Sequence, residues 1–289
     1  MNIIFDISGG LGKNILSTAV LKAIKKQYRK ANIIVITSYP DVFINNPNVN
    51  RVIVHGSVAN IYKDFIENKE AKVFVADPYN TSDYITESKH LIEIWCNMCE
   101  VEYSGEKPEI VLSKAEKDYF APFYNVGKPI LAIQPNGGAV GQPLSYSWTR
   151  DIPAETMVEV IDYFKKDHAI VHIKREDQIN YNDTIGALDS YRSIAVLLMI
   201  SNKRLLIDSS SMHMATALNL PSVVTWIGTN PKIFGYEMHN NILANAPDIN
   251  LNVDSFLFQK YALFEDIARC PYSDLNKIFD TDKIIKALL

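Results

Sequence analysis

The chain is short of everything that marks a secreted or membrane protein. Three cysteines, Cys96, Cys99 and Cys270, are spread over 289 residues, too few to build a disulfide framework. No apolar run approaches the roughly 20 residues of a bilayer span. The opening MNIIFDISGG is too short and too acidic to read as a secretory signal. A cytoplasmic protein with no membrane span is therefore expected. A strong excess of one charge is missing as well. Twenty-nine basic residues against 33 acidic ones leave a net charge of −4, which argues against a whole-surface nucleic-acid binder but not against a local basic cleft. Metal-ligand spacing is absent too. His213 stands alone, and Cys96-x-x-Cys99 has no second pair, so both thiols are expected to be half-buried on a helix. Neither a metal nor a bound cofactor is expected. A Walker loop is lacking because Lys13 is followed by Asn14. The dinucleotide fingerprint is incomplete, and no acidic residue ends the apolar segment 33–37, where a ribose carboxylate belongs. A dehydrogenase is thereby disfavoured.

What is present is an α/β pattern. Residues 2–7 are apolar and β-prone, Ser8-Gly9-Gly10-Leu11-Gly12 interrupts them, and residues 14–30 have helical spacing. Strands are expected at 33–37, 52–55 and 73–76, and a helix at 90–101. Ser113-x-x-Glu116 fits a capping box. The segment FAPFYNVGKP, residues 120–129, carries two prolines and a glycine and reads as a linker. Beyond it strands are expected at 130–134, 169–173 and 204–207, with helices at 153–166 and 193–201. Two domains follow, 1–122 and 130–270, with a terminal helix in 271–289. No repeat or low-complexity run interrupts this order.

Residues 205–231, LLIDSSSMHMATALNLPSVVTWIGTNP, carry the most specific signal. An apolar run ends in Asp208 and three serines, and a helical pattern follows. Pro221 closes it, and a second apolar run ends in Gly228-Thr229-Asn230-Pro231. In a parallel sheet both polar turns lie at the carboxyl ends of strands, where ligands bind. The first turn also opens a helix, whose free N–H groups suit a phosphate.

This block resembles the signature of glycosyltransferase family 9, the ADP-heptose:lipopolysaccharide heptosyltransferase group: D-[ST]-G-x-x-H-x-A-x-A, then proline, an apolar strand and a G-x-[TS] turn. Asp208, Ser209, His213, Ala215, Ala217, Pro221, Gly228 and Thr229 fit it, and Ser210 stands at the usual glycine. The opening LGKNILSTAVLKAIKK is similar to the family's L-G-D block, and residues 47–53, 90–113 and 278–289 resemble its weaker segments. GGLGKN and the PYN…KHL…WC stretch are similar to family 9 relatives carried by phages. The resemblance implies the GT-B architecture, two Rossmann-like domains facing a central cleft. It implies inverting, metal-independent transfer of a sugar from a nucleotide-diphosphate donor to an acceptor hydroxyl. The acceptor would be a lipopolysaccharide-type glycan or a hydroxymethylated base in phage DNA. A protein that binds a nucleotide sugar without transferring it is the alternative.

Single-step inversion needs a base for the acceptor proton and donors or cations for the departing diphosphate. The resemblance places the base at the Asp of L-G-D, where this chain has Lys13. Lys13 then holds a phosphate or acceptor charge while Asp6, Asp77 or Asp83 serves as base. Alternatively it is a desolvated, deprotonated lysine, or the chain does not transfer. Gly9, Gly10 and Gly12 would let the backbone approach donor and acceptor. For the donor the resemblance implies Gly137 in the Pro135-Asn136-Gly137-Gly138 turn and Arg150 in place of a missing diphosphate lysine. Lys174 and Glu176 follow a strand, Glu176 for the ribose hydroxyls, and Asp208, Ser209, Ser210, Ser211 and His213 complete the set. The basic row at Lys22, Lys25, Lys26, Arg29 and Lys30 reads as a solvated helix face or as a contact for DNA phosphates.

Overall fold

The computed structural model describes residues 1–57, 60–138, 144–188, 190–246 and 270–289. The chain divides into two compact units, Met1–Ser113 and Lys114–Leu289.

The first unit is a parallel sheet of β1 (Asn2–Ile7), β2 (Asn32–Thr37), β3 (Arg51–Val54) and β4 (Ala71–Phe74), in the order β3-β2-β1-β4. β1 pairs in register with both neighbours, Asn2 opposite Asn32 and Ala71. The two central strands, β1 and β2, are largely apolar and buried on both faces, whereas the edge strands β3 and β4 are partly exposed. On one face Phe5 meets Phe74 and Trp95, with ring centroids 6.4 and 5.4 Å apart. On the other, Ile4, Ile34, Ile36, Ile53 and Phe65 form a cluster. α1 (Leu11–Gln27) starts three residues earlier than its apolar spacing suggests and is buried almost all round from Lys13 to Ile24. α2 (Ser82–Ile85) and α3 (Leu91–Met98) follow β4. The His90 ring accepts from the Ile92 N–H and caps α3. Cys96 and Cys99 are fully buried rather than half-buried, and burial pushes both thiols up to about 12.

The second unit begins with α4 (Lys114–Phe120), ahead of the expected linker. α4 packs on α6 (Tyr191–Ile200). Glu116 accepts from Arg192 at 2.6 Å, and Tyr124 hydroxyl bonds Ser193 at 2.6 Å. These contacts place residues 114–129 in the second unit. The sheet comprises β5 (Ile130–Ile133), β6 (Ala169–His172), β7 (Thr184–Gly186), β8 (Lys203–Ile207), β9 (Val223–Trp226) and β10 (Asn240–Leu243). All pairs are parallel. The order β10-β9-β8-β5-β6-β7 is the doubly wound order with its switch point between β5 and β8. α5 (Ala154–Phe164), α7 (Ser210–Ala217) and α8 (Pro231–Phe234) connect the strands. The terminal α9 (Thr281–Leu288) is no separate segment: Ile284 and Leu288 join Met157, Ile161 and Phe164 in the core of the second unit. No helix among the described residues is long and apolar enough to cross a membrane.

Candidate functional site

In the second unit the expected donor residues collect at the switch point, where a doubly wound sheet opens a crevice. β8 delivers Asp208, and β9 delivers Gly228 and Thr229. The Thr229 hydroxyl donates to the buried Asp208 Oδ2 at 2.7 Å, which joins the two strand ends. Ser209 is the N-cap of α7, but its hydroxyl donates to Gln134 Oε1 beyond β5 rather than to the helix. The N–H groups of Ser210 and Ser211 therefore meet no capping side chain at the positive end of the helix dipole.

Arg150 reaches this turn from another loop. Its Nη1 lies 3.4 Å from the Asp208 carbonyl, and its Nε is buried without a partner among the described residues. Among the described residues it forms no ion pair. Gly137 makes room for it, since a Cβ there would come 2.8 Å from Arg150 Cδ and 2.9 Å from Ile207 Cδ1. The adjacent Asp151 accepts from the Gly137 N–H at 2.9 Å and from Asn136 Nδ2 at 3.0 Å. Burial nevertheless raises the Asp151 pKa. A cavity of about 320 Å³ opens here, lined by Asn136, Gly137, Trp148, Arg150, Asp151 and Arg175 among others. A larger, shallow hollow of about 870 Å³ lies beside Ile130 and Asn202. That is the amino end of β5, the wrong end of a parallel sheet for a ligand.

The loop after β6 departs from expectation. Lys174 is half-buried and Glu176 exposed, and neither makes a hydrogen bond or ion pair among the described residues. Arg175 is the member that turns inward. Its Nη1 donates to the Gly138 carbonyl at 2.7 Å and its Nε to Asp177 at 2.9 Å, while Gln178 donates to the Gly137 carbonyl. His213 is buried with Nδ1 2.8 Å from the Tyr236 hydroxyl, so that nitrogen is already engaged.

The first unit gathers a second set of groups at its own strand ends. Gly9 sits at φ +100°, a conformation that suits glycine, and a Cβ there would come 2.9 Å from Lys13 Cδ. Gly10 caps α1 and Gly12 lies in its first turn. Buried Asn14 donates to the Gly10 carbonyl at 3.0 Å and accepts from Thr37, which ties the glycine turn to the end of β2. Lys13 is buried, with 8% of its surface exposed. Its Nζ is 3.0 Å from Asp77 Oδ2 and lies 5.2 and 5.4 Å from the Tyr79 and Trp95 rings. The pair spans β1 and β4, the switch point of this sheet. Asp83 is elsewhere engaged: Lys89 at 3.0 Å and Ser88 hold it, and Lys89 keeps its pKa low. Asp6 instead accepts from His55 Nε2 at 2.7 Å, and His55 Nδ1 is 3.1 Å from Ser38 Oγ.

Of the basic row on α1, Lys25 donates to the Ala31 carbonyl at 2.7 Å and Lys26 lies 3.6 Å from Glu106. His55, Ser38, Arg175, Gln178 and Tyr236 were not anticipated. For Ser38 and His55 a signal exists, since each is the first residue after an apolar strand.

Known structures share this fold. A glycosyl transferase family 9 protein from Veillonella parvula is 16% identical, with a TM-score of 0.70, covering 99% of this chain and 95% of its own. The ADP-heptose lps heptosyltransferase II of E. coli is 14% identical, with a TM-score of 0.66, covering 100% and 97%. The E. coli heptosyltransferase WaaC, solved with ADP, is 12% identical, with a TM-score of 0.58, covering 91% and 98%. At the level of sequence, no family model and no curated protein matches the chain. The likeness establishes the fold expected for a family 9 glycosyltransferase, an α/β chain with parallel sheets.

Proposed function

We propose that this protein is a glycosyltransferase that moves a sugar from a nucleotide-diphosphate donor to an acceptor hydroxyl, with inversion and without a metal ion. The observation that carries the reading is Arg150. A guanidinium that forms no ion pair among the described residues, although its charge is felt by the neighbouring Asp151, lies over a glycine and reaches the uncapped first turn of α7. A cation beside free helix N–H groups is what a departing diphosphate requires. These groups do the work that a bound cation does in other transferases. The shared fold supports the reading, because one of the similar structures holds ADP.

The acceptor we favour is a glycan hydroxyl of the lipopolysaccharide type. A hydroxymethylated DNA base would draw on the basic row of α1, but Lys25 and Lys26 are engaged within the first unit. Binding that is indifferent to salt between 50 and 200 mM would remove the DNA acceptor, since a charge-driven complex loses affinity steeply over roughly that range.

The test is a panel of nucleotide-diphosphate sugars, scored by calorimetric binding and by release of the nucleoside diphosphate. One donor should bind and turn over. Arg150→Ala removes a charge-assisted bond of about 1.5–3 kcal/mol and should weaken that donor about 10- to 150-fold. Binding without release for every donor and acceptor would leave a silent nucleotide-sugar-binding protein.

A further inference from the structure

We infer that the cavity beside Arg150 receives a carbohydrate ring of the donor, and that the Asn136 side-chain carbonyl reads one of its hydroxyls. The ring is the ribose of the nucleotide or the sugar to be transferred; both present the same chemistry, a hydroxyl close to a diphosphate. The inference rests on the transferase reading and adds a recognition contact where Glu176 faces solvent. Every group it uses lies in the second unit.

The turn that carries Asn136 follows β5 and is tied down from two directions. The Pro135 carbonyl accepts from the Ile152 N–H at 2.9 Å. The Gly137 and Gly138 carbonyls accept from Gln178 at 3.2 Å and from Arg175 at 2.7 Å. Asp151 then orients the Asn136 amide, whose Nδ2 lies 3.0 Å from Asp151 Oδ2. A carboxylate only accepts, so the amide turns its nitrogen to Asp151 and leaves Oδ1 as the free end. Asn136 is 7% exposed, and its Oδ1 has no partner among the described residues. Arg150 Nε is a second orphan on a residue lining the same cavity. The two sit at one turn, because Arg150 Cδ is the atom that a Cβ on Gly137 would meet at 2.8 Å.

One orphan only accepts and the other only donates. A hydroxyl serves both, giving its hydrogen to Oδ1 and taking one from Nε. A phosphate or carboxylate has no hydrogen for Oδ1, and an ammonium group would meet the Arg150 charge. Buried polar groups are as a rule paired, so two left over at one cavity call for a ligand or an ordered water. The space is more than one water needs. Its volume of about 320 Å³ lies at the low end of the roughly 300–1,000 Å³ of small-molecule sites. Trp148, Ile152 and Ile179 supply apolar wall for the carbon face of a ring. The same guanidinium reaches the Asp208 carbonyl through Nη1, so a ring bound here adjoins a diphosphate held at the start of α7.

The test is calorimetry on the full chain with the donor that binds in the panel above. Asn136→Leu keeps the size of the side chain and removes the acceptor; Asn136→Ala takes its place if the leucine variant melts early. The ligands are the intact donor, its nucleoside diphosphate, and the 2′-deoxy and 3′-deoxy forms of that diphosphate. With the ribose in the cavity, one deoxy form binds the wild type roughly 2- to 13-fold more weakly than its parent, and the substitution abolishes the difference. With the transferred sugar there, the nucleoside diphosphate binds wild type and variant within twofold of each other, and the intact donor weakens roughly 2- to 13-fold on substitution. One common factor for every ligand, or no change in any, overturns the assignment of Asn136 and leaves the diphosphate contacts of Arg150 and α7 standing. Failure of the wild-type chain to bind any donor overturns the transferase reading and this contact with it.

Discussion

Gly228 joins the fold of the second unit to its candidate site, and Gly228→Ala tests that link. The residue lies between β9 and Thr229 and donates its N–H to the Thr149 carbonyl at 2.7 Å. A Cβ at this position would lie 2.8 Å from that carbonyl oxygen, 3.1 Å from Thr149 Cβ and 3.2 Å from Thr149 Cα. Two of these neighbours are backbone atoms of a residue with no exposed surface, so they cannot swing aside. The added methyl must push the two loops apart. Overpacking costs about 1–3 kcal/mol, and losing the N–H to carbonyl bond adds about 0.5–1.5 kcal/mol. For a unit of this size each kcal/mol lowers Tm by roughly 2–4 °C, so a fall of about 3–18 °C is expected by calorimetry. Gly186→Ala is the control within the same unit, since nothing lies within 4 Å of its added Cβ and its Tm should stay near that of the wild type. Gly228→Ala should also weaken the nucleotide-sugar donor, because Thr149 precedes Arg150 and Gly228 precedes Thr229. A variant that melts with the wild type, or that melts early yet binds donor unchanged, would refute the coupling of this turn to the site.

Thr229→Val keeps the side-chain shape but strips a hydrogen bond from a buried carboxylate; urea unfolding should show a loss of about 1.5–3 kcal/mol, Thr229→Ser should recover most of it, and equal stability of all three would remove the Asp208 lock. His172 is fully buried with both ring nitrogens unpartnered among the described residues, and burial lowers its pKa to about 4, as it does for His239. Above the ordinary value of 6.5 neither histidine contributes; as pH falls from about 6.5 to 4 the unfolded chain takes up protons that the folded one refuses, and stability is lost. Asp151, with its pKa raised by burial, acts in the opposite sense at acid pH. His172→Phe should therefore flatten unfolding free energy against pH between 4 and 6.5, and an unchanged slope would count against a neutral buried ring. Lys13→Asp sets two carboxylates where an ion pair now spans 3.0 Å and should destabilise the first unit; adding Asp77→Lys should recover stability through a coupling of about 0.5–3 kcal/mol, and strict additivity would sink the pairing.

How much of this was legible in the sequence depends on how local each feature is. The central strands, buried on both faces, are continuous apolar runs and stand out: residues 2–7 and 130–133 are examples. The edge strands β7, Thr-Ile-Gly, and β10, Asn-Asn-Ile-Leu, carry no such pattern because a neighbouring strand holds them rather than their own composition. The Asp208–Ser211 turn was legible because strand, turn and helix are adjacent in the chain. The loop after β6 has no period, so nothing in the residue types told that Arg175 rather than Glu176 faces the Gly137–Gly138 turn. Partners far apart in sequence were harder still. Lys13 and Asp77 are 64 residues apart and Asp6 and His55 are 49; only the strand order β3-β2-β1-β4 makes them neighbours. That order itself follows a rule. In a parallel doubly wound sheet every strand delivers its next polar residues to the same edge. Taking the polar residues at or just beyond the apolar runs of β1–β5, β8 and β9 yields Asp6, Ser38, His55, Asp77, Asn136, Asp208 and Thr229, members of the two strand-end clusters, whereas the run of β6 yields Lys174, which joins neither. The strand runs named these candidates, and the missing step was to treat the strand ends of each sheet as one surface.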